Sequence, residues 1–104
     1  MEADIRHISA RLIGLCLVVA ALAGCAISPP VQEMSDARQA IRAAQDVHAG
    51  KHAPAALDQA EELLTHATRS LEQGRYEEAR QAALAAKEKA ITARDRAIEA
   101  GGAK

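Results

Sequence analysis

The stretch Ala79-Arg80-Gln81-Ala82-Ala83-Leu84-Ala85-Ala86-Lys87-Glu88-Lys89-Ala90-Ile91-Thr92-Ala93-Arg94-Asp95-Arg96-Ala97-Ile98-Glu99-Ala100 decides the fold. In it Ala79, Ala83, Ala86, Ala90, Ala93, Ala97 and Ala100 alternate spacings of four and three. That is a heptad row of alanine on one side of a helix. Leu84, Ile91 and Ile98 recur at every seventh position beside it. Side chains this small let helix axes approach at the low end of the usual separation of about 8–10 Å. Glu77 and Glu78 ahead of the row suit the positive end of a helix dipole, and Gly101-Gly102 behind it suits a helix end. The reading is a helix over about 76–100.

Two breaks lie upstream, and they are 24 residues apart: Gly50-Lys51-His52-Ala53-Pro54-Ala55 and Gly74-Arg75-Tyr76-Glu77-Glu78-Ala79. Glycine suits the left-handed position just past a helix, and proline the first turn of the next. Gly50, Pro54, Gly74 and Tyr76 are therefore the expected turn residues. They delimit helices at about 31–49 and 54–73. Met34, Ile41 and His48 mark the first at heptad spacing, with histidine the weak member; Leu57, Leu64 and Leu71 mark the second. Short turns make successive helices antiparallel neighbours. The expected fold is all-α: an up-down-up three-helix bundle, or a coiled-coil-like helical hairpin, with alanine-rich seams. The packing seam would comprise Leu57, Leu64, Leu71, Ala79, Ala83, Leu84, Ala86, Ala90, Ile91, Ala93, Ala97 and Ile98. The third helix, the longest, is expected to project beyond the first. The alanine row is either filled within the chain or left as a docking face.

Arg6 and Arg11 precede an uncharged run from Leu12 to Ala23. Twelve residues match the apolar core of a secretory signal and fall short of the ~20 that a helix needs to cross a bilayer. The run closes on Leu22-Ala23-Gly24-Cys25, where the small Ala23 and Gly24 suit a signal peptidase. The organisation read from this is a signal peptide over 1–24, an N-terminus and linker over 25–30, the helical domain over 31–100, and a flexible tail over 101–104. Cys16 would leave with the signal, so Cys25 would be the only cysteine retained and no internal disulfide could form.

The chain carries 13 Lys and Arg against 14 Asp and Glu, a net charge of −1 that gives no reason to expect nucleic acid as a partner. One tyrosine and no Phe or Trp leave almost no stacking platform for bases or sugars. His48 and His52 are four apart but separated by Gly50, His66 is isolated, and no metal site is expected. Glu61-Glu62 and Glu77-Glu78 are adjacent pairs, and adjacent residues on a helix do not face one another. Ser35, Ser70, Thr65, Thr68 and Thr92 lack a base in any triad pattern, and no glycine-rich phosphate loop occurs. No catalytic residue and no enzyme activity are expected.

Three resemblances add to this. Leu22-Ala23-Gly24-Cys25 resembles the lipobox of bacterial lipoprotein signals. That resemblance implies a diacylglyceryl group on the Cys25 thiol, cleavage before Cys25 and acylation of the new amine, with no other cofactor. Ala26 stands where, in enteric bacteria, an aspartate would retain the protein in the inner membrane, which implies the periplasmic face of the outer membrane. The helical segment is similar to a family of short alanine-rich bacterial lipoproteins bearing a domain of unknown function. Its matching residues are Ala40-Ile41 with Ala44, Gly50 with Ala53-Pro54, Leu57 with Ala60, Leu63-Leu64, Leu71, Gly74 and the Ala79–Ala97 row. A tyrosine common before the Ala-Pro pair there is His52 here. Members occur alone or ahead of an OmpA-type domain, which implies an envelope module. Gly74-Arg75-Tyr76-Glu77-Glu78-Ala79 looks like a tetratricopeptide turn, but the 34-residue period of that repeat is absent and a plain helical-hairpin turn is preferred.

The function expected is a non-enzymatic, lipid-anchored helical adaptor or structural protein. It would hold the membrane through Cys25 and an envelope protein, or a second copy of itself, through helix contacts. The alternative is a covalent tether to peptidoglycan through Lys104, since the chain ends in lysine as does the major murein lipoprotein, although without the Tyr-Arg found there. A lesser alternative is a carrier of a small ligand or lipid between its helices.

Overall fold

The computed structural model describes Arg11 and residues 28–101. Expectations for the Leu12–Ala23 run, the Leu22–Cys25 motif and Lys104 lie outside the described residues.

Over residues 28–101, three long helices and one short one follow in order: α1 Val31–Asp46, α2 Ala49–His52, α3 Pro54–Glu72 and α4 Tyr76–Glu99. The fold is all-α, as expected. Pro30 precedes α1 and its carbonyl accepts from Met34 N–H at 3.0 Å, the first bond of the helix. Pro54 occupies the first position of α3, where its missing N–H leaves no helical bond unmade. Glu77 and Glu78 stand in the first turn of α4, against the positive end of its dipole.

The ends that meet one another fix the topology. Met34, from the start of α1, shares a cluster with Ala67 of late α3 and with Ala82 and Ala83 of early α4. Ile41 and Ala44, further along α1, share another with Ala56, Leu57 and Ala60 of early α3 and Ala90, Ala93 and Ala97 of late α4. The order is up-down-up, with α1 and α4 running the same way. Every buried residue of α4 is an alanine: Ala79, Ala82, Ala83, Ala86, Ala90, Ala93 and Ala97. The large core side chains come from its neighbours, as Met34, Ile41 and Leu57. α4 thus presents a row of methyl groups to both flanking helices, and close approach is what that row permits.

The connection between α1 and α3 differs from the expected glycine turn. α1 ends at Asp46, not 49, and the left-handed residue is His48 (φ 61), whose N–H donates to the Gln45 carbonyl at 3.0 Å. Gly50 lies inside the single turn of α2. Burial explains the shift: breaking at His48 swings Ala49 and then Ala53 into the core, at 0% and 7% exposure. Ala53, the residue before Pro54, is out of the helical region (φ −145, ψ 55), which proline disfavours in the residue ahead of it. At about 1.5 Å per residue α4 is roughly 12 Å longer than α1. That extra length does not project free. Ala93 and Ala97 are fully buried, in the cluster that holds Ala49 and Ala53.

The second break forms as expected. Gly74 takes φ 74, its N–H donates to the Leu71 carbonyl at 3.0 Å, and Arg75 N–H donates to the Ser70 carbonyl at 2.8 Å. This pair of bonds is a Schellman closure. Gly101, with φ 87 and a 3.0 Å bond to the Ile98 carbonyl, closes α4.

Candidate functional site: the linker clamp and the outer face of α4

Arg80, one turn into α4, joins three parts of the chain. Its Nε donates to Glu33 Oε1 of α1 at 3.2 Å, its Nη1 to Glu77 Oε2 at 2.8 Å, and its Nη2 to the backbone carbonyl of Ser28 at 3.1 Å. The planar guanidinium can serve three acceptors at once because its donors fan out in a fixed fork. Glu77 also accepts from Gln81 Nε2 at 3.0 Å. That amide first, and then Arg80, holds the Glu77 carboxyl below its ordinary range. The bond to Glu77, with Glu33 assisting, raises the Arg80 guanidinium further above its already high value. Glu77 and Arg80 both stay charged near neutral pH. The result is a linker fastened to the bundle at Ser28, beside the α3–α4 turn.

Sequence reasoning did not single out Arg80. The pair with Glu77 is visible as an i, i+3 spacing, whereas Glu33 and Ser28 lie 47 and 52 residues away and leave no local signal.

The expected packing seam divides in two. Leu57, Ala79, Ala83, Ala86, Ala90, Ala93 and Ala97 are buried, and Leu64 and Leu71 half-buried, all on the inside. The alanine row is consumed within the chain up to Ala97, and only its last member, Ala100, is exposed. The seam expectation fails at Leu84 and Ile98, which are 40% and 43% exposed, with Ile91 half-buried between them. The reason is geometric: the face of α4 turned to α1 and α3 is filled by alanine, so a row beside it is carried to the rim. Ile91, with Lys87 and Arg94, lines a shallow groove against Asp36, Gln39, Ala40 and Ala43 of α1.

Tyr76 is half-buried as the first residue of α4, and Pro54 is exposed as the first of α3. His48 is exposed at its left-handed turn and His52 ends α2. His66 Nε2 lies 3.3 Å from Glu78 Oε1, a solvated contact that also includes Arg75 at 3.6 Å from Oε2. Glu61 accepts from Gln45 Nε2 at 3.2 Å across α1 and α3. The hydroxyls of Thr65, Thr68 and Thr92 each donate to the carbonyl four residues back in their own helix. Ser70 is buried at the α3 end and Ser35 half-buried on α1. Among the described residues no group of three or more His, Cys, Asp or Glu is placed to hold a metal ion. Nor is any described helix long and apolar enough to cross a membrane. A surface depression lined by Asp58, Glu61, Glu62, Thr65, His66 and Arg69 draws all of these residues from α3, and they are charged or hydrogen-bonding.

A model of the family described as Domain of unknown function (DUF4398) matches residues 32–101. The chain belongs to this family. The DUF4398 match begins one residue inside α1 and ends on the glycine that closes α4, so it spans the whole bundle. It includes Glu33, Glu77 and Arg80, and stops short of Ser28. No curated protein and no solved structure matches the chain.

Proposed function

We propose that this DUF4398 module is a non-enzymatic, lipid-anchored structural protein of the bacterial envelope. It is held through Cys25 at the periplasmic face of the outer membrane and acts through helix contacts. The observation that carries this reading is the bond from Arg80 to the Ser28 carbonyl, only three residues after Cys25. Three residues reach at most about 10 Å, so a chain pinned at Ser28 keeps a lipidated Cys25 close to that end of the bundle. The end of the bundle with the α3–α4 turn then faces the membrane and the Gly101 end faces away. The lipobox-like Leu22-Ala23-Gly24-Cys25 and the resemblance to small envelope lipoproteins, some with OmpA-type domains, support the same reading. Mass spectrometry of the N-terminal peptide from native membranes tests it. A diacylglyceryl-modified, acylated Cys25 is expected, and Cys25→Ser should move the protein to the soluble fraction. An intact, unmodified segment 1–24 on the mature protein would overturn the proposal.

The second reading, a covalent tether through Lys104, gains from the direction of α4. That helix runs from the clamped end for about 36 Å, so Gly101 stands well away from the linker. Muropeptide analysis that finds no lysine-linked species would eliminate it.

A further inference from the structure

The outer face of α4 carries an apolar row with a charge on each side. Leu84 and Ile98 are exposed and Ile91 is half-buried, one above another at heptad spacing. At 3.6 residues per turn, Lys87 and Arg94 fall about 40–60° to one side of Ile91, and Glu88 and Asp95 about 40–60° to the other. Glu88 and Asp95 are exposed, while Lys87 and Arg94 are half-exposed along the rim toward α1. One flank is therefore basic and the other acidic.

We propose that a second copy of this chain docks on this row in parallel. A two-fold axis along the helices turns the basic flank of each copy toward the acidic flank of the other. Lys87 then meets Glu88 of the second copy, Arg94 meets Asp95 of the second copy, and Leu84, Ile91 and Ile98 each meet their own counterpart. A two-fold axis across the helices does the opposite, setting basic flank on basic and acidic on acidic. Flanking charges fix partner and orientation in paired helices in this way. In the single chain Arg94 donates to its own Asp95 at 3.1 and 3.2 Å. In the pair each Asp95 carboxylate lies between its own arginine and that of the second copy.

Three large apolar residues make a small contact, well below the roughly 800 Å² per partner of a stable soluble complex. Here the inference rests on the anchoring proposed above. Two copies held in one membrane by their N-termini stand in the same sense, and their local concentration is raised without any added contact.

Cysteine cross-linking of the full chain in native membranes tests this. Leu84→Cys, Ile91→Cys and Ile98→Cys, each alone, should give disulfide-linked homodimers under mild oxidation. Asp58→Cys on the exposed side of α3 and the unsubstituted chain should not. Reversing the basic flank with Lys87→Glu and Arg94→Glu should lower the dimer fraction about tenfold, and adding Glu88→Lys with Asp95→Lys should restore it. Circular dichroism of the purified full chain checks that helix content is unchanged. Dimers from Ile91→Cys alone would overturn the parallel pairing, as would cross-links from Leu84→Cys and Ile98→Cys only to a different protein. The mass of the Cys25 peptide separates the two proposals. Lipidated protein that gives no dimer refutes the pairing and leaves the anchor standing. Unlipidated protein that, with Cys16→Ser and Cys25→Ser added, still cross-links through Leu84→Cys, Ile91→Cys and Ile98→Cys in detergent refutes the anchor and leaves the pairing standing.

Discussion

His48 stands at φ 61, where a Cβ crowds the backbone, while Gly50 two residues on is helical and makes no use of its freedom. Gly50 and Gly74 should respond in opposite senses to alanine. A Cβ added at Gly50 would meet only a Leu57 methyl at 3.7 Å, an ordinary contact. Gly50→Ala is therefore expected to stabilise the bundle by about 0.5–1 kcal/mol, through helix propensity and a less flexible unfolded chain. Gly74 has nothing within 4 Å of its would-be Cβ but sits at φ 74, so the cost of Gly74→Ala is all backbone, about 1 kcal/mol. Urea unfolding followed by circular dichroism checks both, and equal losses at the two glycines would contradict this account. Glu77 offers a test of pH dependence. Its carboxyl is held below its ordinary 4.5 by Gln81 and Arg80, so what it contributes to stability is complete above that value. The contribution is lost as pH falls through the lowered pKa. An NMR titration should find Glu77 ionising below the ordinary range, and moving up toward it in Gln81→Ala.

At the scale of helices, α4 is the element on which the rest depends, and its two faces should answer differently to substitution. Ala86 and Ala90 are fully buried between neighbours that approach closely, so Ala90→Leu is expected to cost about 1–3 kcal/mol by forcing helices apart. Leu84→Ala, on the rim at 40% exposure, should change monomer stability by less than about 0.5 kcal/mol. Denaturant midpoints of the two variants decide the matter, and similar losses would mean the faces have been misassigned. The three long helices could be read from the sequence because alanine at spacings of four and three, glycine and proline are local signals. The seam was read only in part. Periodicity put Leu84, Ile91 and Ile98 on one stripe but could not say that the alanines beside them would fill the whole interior. The break at His48 was hidden for a similar reason. Glycine is the local favourite for the left-handed position, yet the burial of Ala49 and Ala53 against late α4 is a tertiary demand, and it overrode that preference.

For the molecule as a whole, the Arg80 cluster ties the linker to the bundle beside the buried Pro30, and only its Glu77 pair shows as a local pattern. Its role follows from what the rest of α4 lacks. A file of identical methyl groups works as a ruler with unnumbered marks: sliding α4 by seven residues sets alanine where Ala79, Ala83, Ala86, Ala90 and Ala93 were, and Lys89 arriving at the Ala82 position is the one mismatch before Ala97. Met34, Ile41 and Leu57 resist such a slip by shape. Arg80 resists it by address, because only one axial setting puts its guanidinium on Glu33, Glu77 and the Ser28 carbonyl together. Arg80→Met keeps much of the length and apolar stem while removing that address. The expected outcome is unchanged helix content with doubled or broadened amide resonances along α4; a single sharp set identical to that of the parent chain would refute it. On this view Arg80 is the zero mark of the ruler, and the frame it sets decides which residues of α1 and α3 each residue of α4 stands beside.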